Sequence, residues 1–208
     1  MAQGTALIVI DVQNDFCTGG ALSVAGGEEV VPLVNRIART FPVRVLTQDW
    51  HSPDHKSFAA NHPDAEAFSV TEMAYGPQVL WPVHCVQGTP GAAFHSGLET
   101  DMADLVLRKG FRPHVDSYSA FFENDKATPT GLAGYLRERG AAEVWLAGLA
   151  TDFCVAHSAL DALAQGFRVT LIEDACRAID LDGSLARMTA TMRERGVRFA
   201  LAEELAPA

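Results

Sequence analysis

Residues 143–165 read EVWLAGLATDFCVAHSALDALAQ. Glu143 to Leu149 is nearly all apolar, as expected of a strand buried on both faces. Asp152 to Gln165 reads as the helix that follows it. A doubly buried strand running straight into a helix belongs to a parallel sheet with helices packed on both sides. Cys154 then falls one turn into the helix, after Thr151 and Asp152, two residues suited to capping it. Free N–H groups and the positive end of the helix dipole lie there, and both favour a thiolate.

Working outward, the same alternation recurs. Leu7 to Ile10 is a short apolar run that ends at Asp11, and Val43 to Thr47 is a second strand ending near Asp49. Leu105 to Leu107 is a third, running into Lys109 and Gly110; Arg168 to Glu173 and Val197 to Leu201 are two more. Helices are expected over 28–40, 130–139 and 182–195, the last capped by Asp182. Residues 50–100 are rich in Pro, Gly, Ser and His and show little periodicity. A loop of that length is functional or conceals short elements. The reading is one α/β domain over residues 1–208. Ligands of such sheets bind beyond the carboxyl ends of the strands, where strand order reverses. That rule selects Asp11, Asp49, Lys109 and the 149–154 turn.

Composition narrows the partners. Hydrophobic residues make up 48% and charged residues 20%, an ordinary globular mixture. A formal net charge of -10 argues against nucleic acid or an anionic membrane, which both favour a basic face, and leaves a small neutral substrate open. The four cysteines, at 17, 85, 154 and 176, are far apart. The start MAQGTALIVID has no basic leader region, and no apolar run reaches membrane-span length. A reducing, cytoplasmic setting is therefore expected. A homo-oligomer is compatible with the sequence. Gly19-Gly20 and Gly26-Gly27 form neither a dinucleotide fingerprint nor a phosphate loop.

Each candidate has a plain alternative. Cys154 reads either as a nucleophile or as a small buried hydrophobe. Asp11 is a general base or the acceptor of its own turn. Lys109 is a solvated lysine or, beside a carboxylate and a thiol, the charge that orients them. In QDWHSPDH, residues 48–55, Asp49 and His51 stand two apart and point the same way on an extended segment. With His84 they suit Zn²⁺, Fe²⁺ or Mn²⁺, and His55 either joins them or sits behind them. Otherwise these are exposed loop histidines. His62, His95, His114 and His157 read as ordinary, and Cys17, Cys85 and Cys176 as packing residues.

Together, LIVIDVQNDFCTGGALSVAGG, TQDWHSPDHKSF, WPVHCVQGTPGAAFH, RKGF and AGLATDFCVAHSALDALAQGF resemble the nicotinamidase/pyrazinamidase enzymes of the isochorismatase-like cysteine hydrolases. The resemblance implies a Rossmann-like six-stranded parallel sheet and a triad of Asp11, Lys109 and Cys154. It implies a cis peptide at Leu149–Ala150, with the Ala150 and Cys154 N–H groups as oxyanion hole. It implies one divalent metal ion, Zn²⁺ before Fe²⁺ or Mn²⁺, on Asp49, His51 and His84, with His55 as a further candidate. Phe16 and Trp81 match aromatic residues that sandwich a pyridine ring, and Tyr118 and Phe121 fall in the segment that closes the pocket. The implied activity is hydrolysis of nicotinamide, and of pyrazinamide, through a Cys154 thioester, with a place in NAD salvage. A hydrolase of N-carbamoyl or ureido substrates would share the triad but has no need of a metal site to hold a ring nitrogen. A non-catalytic metal- or ligand-binding module is the reading from another class.

Overall fold

The computed structural model describes residues 4–205, so the outermost three residues at each end of the expected domain lie outside the described residues. Six parallel strands form one sheet in the order β5-β2-β1-β6-β7-β8. They are β1 (Thr5–Ile10), β2 (Val43–Asp49), β5 (Leu105–Lys109), β6 (Glu143–Leu149), β7 (Arg168–Arg177) and β8 (Arg198–Ala200). The remaining strands, β3 (Val70–Met73) and β4 (Gly76–Val79), pair antiparallel as a separate hairpin. This hairpin is the short structure hidden in the long 50–100 stretch. Its strands are only four residues each and largely exposed, which is why they show no buried period.

The side chains of β1 alternate between two cores. Leu7 and Val9 pack with Val30, Val34 and Ile37 of helix α1 (Val30–Ala38). Ala6, Ile8 and Ile10 pack on the other face, with Leu132 and Leu136 of α2 (Leu132–Glu138) and Ala156, Ala159 and Ala162 of α3 (Ala156–Ala164). Every residue of β1 is buried, because both faces are covered by helices. β1 and β6 meet closely at Gly148: a Cβ there would lie 2.1 Å from the Ile10 carbonyl oxygen. Only glycine fits that contact.

Strand order reverses at β1, which has β2 on one side and β6 on the other. The crevice between the carboxyl ends of β1 and β6 is therefore where a ligand site belongs. Two expected caps are absent. Residues 151–155 form a single π-turn leading into α3, with no side-chain cap. Asp152 instead accepts hydrogen bonds from the Ile179 and Asp180 N–H groups (3.0 and 2.8 Å) and from the Ser184 hydroxyl. Helix α4 (Ser184–Arg195) starts two residues later than expected. Asp182 is left-handed at φ 50 and does not cap it; the Asp180 carboxylate takes the Leu185 N–H instead, at 3.2 Å.

Candidate active site

Asp11, the first residue beyond β1, adopts a left-handed conformation with φ 47 that turns its side chain into the crevice. Thr47 of β2 holds it: the Thr47 hydroxyl accepts from the Asp11 N–H (3.2 Å) and donates to Asp11 Oδ1 (2.6 Å). Gln13 ties the same two strand ends together. Its amide accepts from the Asp49 N–H (2.8 Å) and donates to the Asp49 carbonyl (2.9 Å).

Lys109 ends β5 and is 1% exposed. Its ammonium lies 2.9 Å from Asp11 Oδ2, 2.5 Å from Asp49 Oδ1 and 3.5 Å from Cys154 Sγ. It also donates to the Ser117 carbonyl at 2.8 Å. Three groups widely separated in the chain thus converge on one ammonium. An Asp11 oxygen, an Asp49 oxygen and the Cys154 sulfur lie within 4.8 Å of one another. Lys109 Nζ fills the space among them, so that cluster is an ion-paired group rather than a metal site.

Burial dominates the proton affinities. It raises Asp11 to about 6, against the opposing pull of Lys109. It also pushes the Cys154 thiol well above its ordinary value; the pull of Lys109 is outweighed because Asp11 and Asp49 both oppose the thiolate. The expectation that the helix start lowers the thiol's proton affinity is thus overturned by burial. The resting thiol is therefore neutral. Burial would raise Asp49 as well, but Lys109 and His51 overcome it and hold that carboxyl below its usual range.

Asp49 faces both ways. Its Oδ2 lies 3.5 Å from His51 Nε2 and 4.0 Å from His84 Nε2, and all three side chains are buried. His51 Nδ1 is 2.8 Å from the Gly110 carbonyl, and His84 Nδ1 is 2.8 Å from that of Pro82. Each carbonyl accepts the Nδ1–H, which leaves the Nε2 lone pair of both rings directed at Asp49. One carboxylate and two imidazoles presented in this way fit a divalent ion of the zinc type. Burial is the chief force pushing His84 down to about 4, so its ring is neutral and ready to ligate. His55 packs 4.5 Å from the His51 ring.

Between the sulfur and this cluster lies a narrow cavity. Phe16, Trp81, Tyr118, Ala150 and Cys154 are among the residues that line it. The expected cis peptide stands at Leu149–Ala150. Phe121 does not line the cavity. It lies on the α3 side of the sheet, 5.9 Å from Phe167. The Ser158 hydroxyl accepts from the Ala120 N–H at 2.9 Å and pins the chain against α3 there. Tyr118 stays on the cavity side because Trp81 Nε1 (3.1 Å) and Gln78 Nε2 (2.8 Å) donate to its hydroxyl. Sequence reading missed Leu22, Asp116, Phe153 and Ile179 in the lining. Phe153 adjoins Cys154 and was within reach of a local argument. The other three arrive from loops with no periodic signal.

The isochorismatase domain model matches residues 5–204. The chain belongs to the isochorismatase family. It is 51% identical over 197 residues to the nicotinamidase of Acinetobacter baylyi, covering 95% of this chain and 92% of that one. Among solved structures, this isochorismatase-family fold superposes on the Acinetobacter baumanii nicotinamidase/pyrazinamidase with a TM-score of 0.97 and 53% identity, covering 99% of each chain. The L. infantum protein in complex with nicotinate gives 0.83 and 39% identity, covering 97% of this chain and 94% of that one. The Pyrococcus horikoshii pyrazinamidase in complex with zinc gives 0.76 and 37%, covering 95% and 99%. All four cysteines are free and buried, and no helix among the described residues is long and apolar enough to cross a membrane.

Proposed function

We propose that this chain hydrolyses nicotinamide to nicotinate and ammonia, and pyrazinamide likewise. The observation that carries the proposal is the Lys109 ammonium in contact with Asp11, Asp49 and Cys154 beneath an aromatic-walled cavity. The similarity to nicotinamidases over 95% of the chain supports the choice of substrate.

The chemistry follows from the charges. In this reading the pyridine ring lies between Phe16 and Trp81, with its carboxamide against Cys154. Asp11 Oδ2 takes the thiol proton, and Lys109 stabilises the resulting thiolate. The sulfur adds to the amide carbon, and the N–H groups of Ala150 and Cys154 receive the oxyanion. Asp11 returns the proton to the departing nitrogen as the C–N bond breaks, releasing ammonia and leaving a thioester. Asp11 then deprotonates water, which attacks the thioester; collapse expels the thiolate, which takes that proton back from Asp11, and forms the acid.

Asp49, His51 and His84 would hold the divalent ion, with Zn²⁺ the first candidate. When bound, it supplies a Lewis-acidic anchor for the ring nitrogen. The nicotinate product is the form that enters pyridine-nucleotide salvage, in the cytoplasm in this reading.

The test is ammonia release from nicotinamide by wild type and by Cys154→Ala, with the folded state checked by circular dichroism. Turnover only in the wild type is expected. Rates at the blank for both proteins would sink the amidase reading.

A further inference from the structure

The β3–β4 hairpin is largely exposed, yet one residue of its strands is buried, and that residue is polar: Gln78 is 1% exposed. A buried amide needs partners at both ends. Gln78 Oε1 accepts from the Tyr75 hydroxyl (3.1 Å) and from Asn124 Nδ2 (3.0 Å), which leaves Nε2 as the donor end. Its two protons serve three acceptors: the Val79 carbonyl (2.7 Å), Asp116 Oδ2 (3.0 Å) and the Tyr118 hydroxyl (2.8 Å). Asn124 Oδ1 in turn accepts the Tyr118 N–H at 3.0 Å, so Gln78 and Asn124 grip Tyr118 at both ends.

The chain of contacts runs on to Trp81. Its main chain is fixed: the N–H donates to the Ser57 carbonyl (2.7 Å) and the carbonyl accepts from the Ala59 N–H (2.9 Å). The ring's own torsions are set by side chains. An indole has one donor, on one edge, and Trp81 Nε1 donates to the Tyr118 hydroxyl at 3.1 Å. Turning the ring over would leave that N–H unpaired. The ring also stands edge-on to Tyr118 (6.0 Å between centroids) and to Phe153 (4.9 Å).

We propose that Gln78 is a positioning residue: through the Tyr118 hydroxyl it fixes the Trp81 indole, which makes the hairpin part of the cavity wall. As to the substrate, this rests on the amidase reading, in which Trp81 lies against the pyridine ring. A wall held in place binds ground state and transition state alike, so its loss acts on KM rather than on kcat.

The test labels the full chain with 5-fluorotryptophan. The three tryptophans give three fluorine resonances, and Trp81→Phe identifies that of Trp81. Gln78→Leu keeps the side chain's bulk and removes both polar ends. It should shift or split the Trp81 resonance while those of Trp50 and Trp145 stay in place. An unmoved Trp81 resonance in the folded variant overturns the proposal, whether or not the chain is an amidase. The KM for nicotinamide should rise about fivefold, the size of one ordinary hydrogen bond, with kcat within about twofold. An unchanged KM, or a fall in kcat alone, overturns the role toward substrate. In a Tyr118→Phe background Gln78→Leu should add less than about twofold to KM, because effects routed through one hydroxyl do not add; a second rise of about fivefold would refute that route. Wild type without turnover would sink the amidase reading and leave the fluorine resonance to judge Gln78. Should Gln78→Leu fail to fold, Tyr118→Phe decides: it keeps the ring and removes the hydroxyl, and a Trp81 resonance that does not move refutes the link.

Discussion

Lys109→Met leaves two carboxylates in the crevice without their cation. Asp11 is 0% exposed and Asp49 4%, so water cannot replace the ammonium. Removing one partner of a buried ion pair costs about 3–5 kcal/mol, and that loss is expected in metal-free protein at pH 8. The loss should shrink toward acid. Burial already raises Asp11 to about 6, and Lys109 is the chief force opposing that rise. Without it, only the Thr47 hydroxyl still opposes burial and Asp49, and the folded carboxylates hold protons at higher pH. A folded state that binds more protons than the unfolded chain gains stability as pH falls. Where the variant takes up one more proton on folding than wild type does, its deficit should fall by about 1.4 kcal/mol per pH unit. Urea unfolding of both proteins between pH 5 and 8, after chelation, measures this. A deficit below about 1 kcal/mol at pH 8, or one that does not change with pH, would refute an uncompensated buried charge pair.

Three further outcomes are expected. The kcat/KM for nicotinamide should rise with pH through an apparent pKa about 6, because Asp11 must be ionised to take the thiol proton; a flat profile from pH 5 to 7 would remove Asp11 as the base. Gly110→Ala places a Cβ 2.5 Å from His51 Cε1 at a φ of +64. It should displace the imidazole and weaken Zn²⁺ binding at least tenfold in a competition titration, beyond a backbone strain of about 1–2 kcal/mol; unchanged affinity would show that His51 is not held by that contact. Asp152→Ala should destabilise the fold by about 2–4 kcal/mol, since it strands the Ile179 and Asp180 N–H groups, and a thermal melt within 1 °C of wild type would contradict this.

The fold class was legible in the chain because doubly buried strands are near-continuous apolar runs. Ala6 to Ile10 and Val144 to Leu149 carry that signal locally. The triad residues and Asp49 were legible for a related reason. Each stands at a strand's carboxyl end or on the turn beyond, where a parallel sheet gathers its ligands. The sequence by itself therefore determined the sheet and the rim on which the chemistry sits. It did not determine proton affinities: the 149–154 turn suggested a lowered thiol, whereas the folded site raises it. That outcome depends on how completely water is excluded and on which carboxylates lie beside the sulfur, and those two carboxylates, Asp11 and Asp49, come from more than 100 residues away in the chain. Tertiary structure alone also sent Tyr118 to the cavity and Phe121 to the opposite core. Hydrogen bonds from Gln78 and Trp81 and to Ser158 decide those two directions, and no period in the 111–125 segment encodes them.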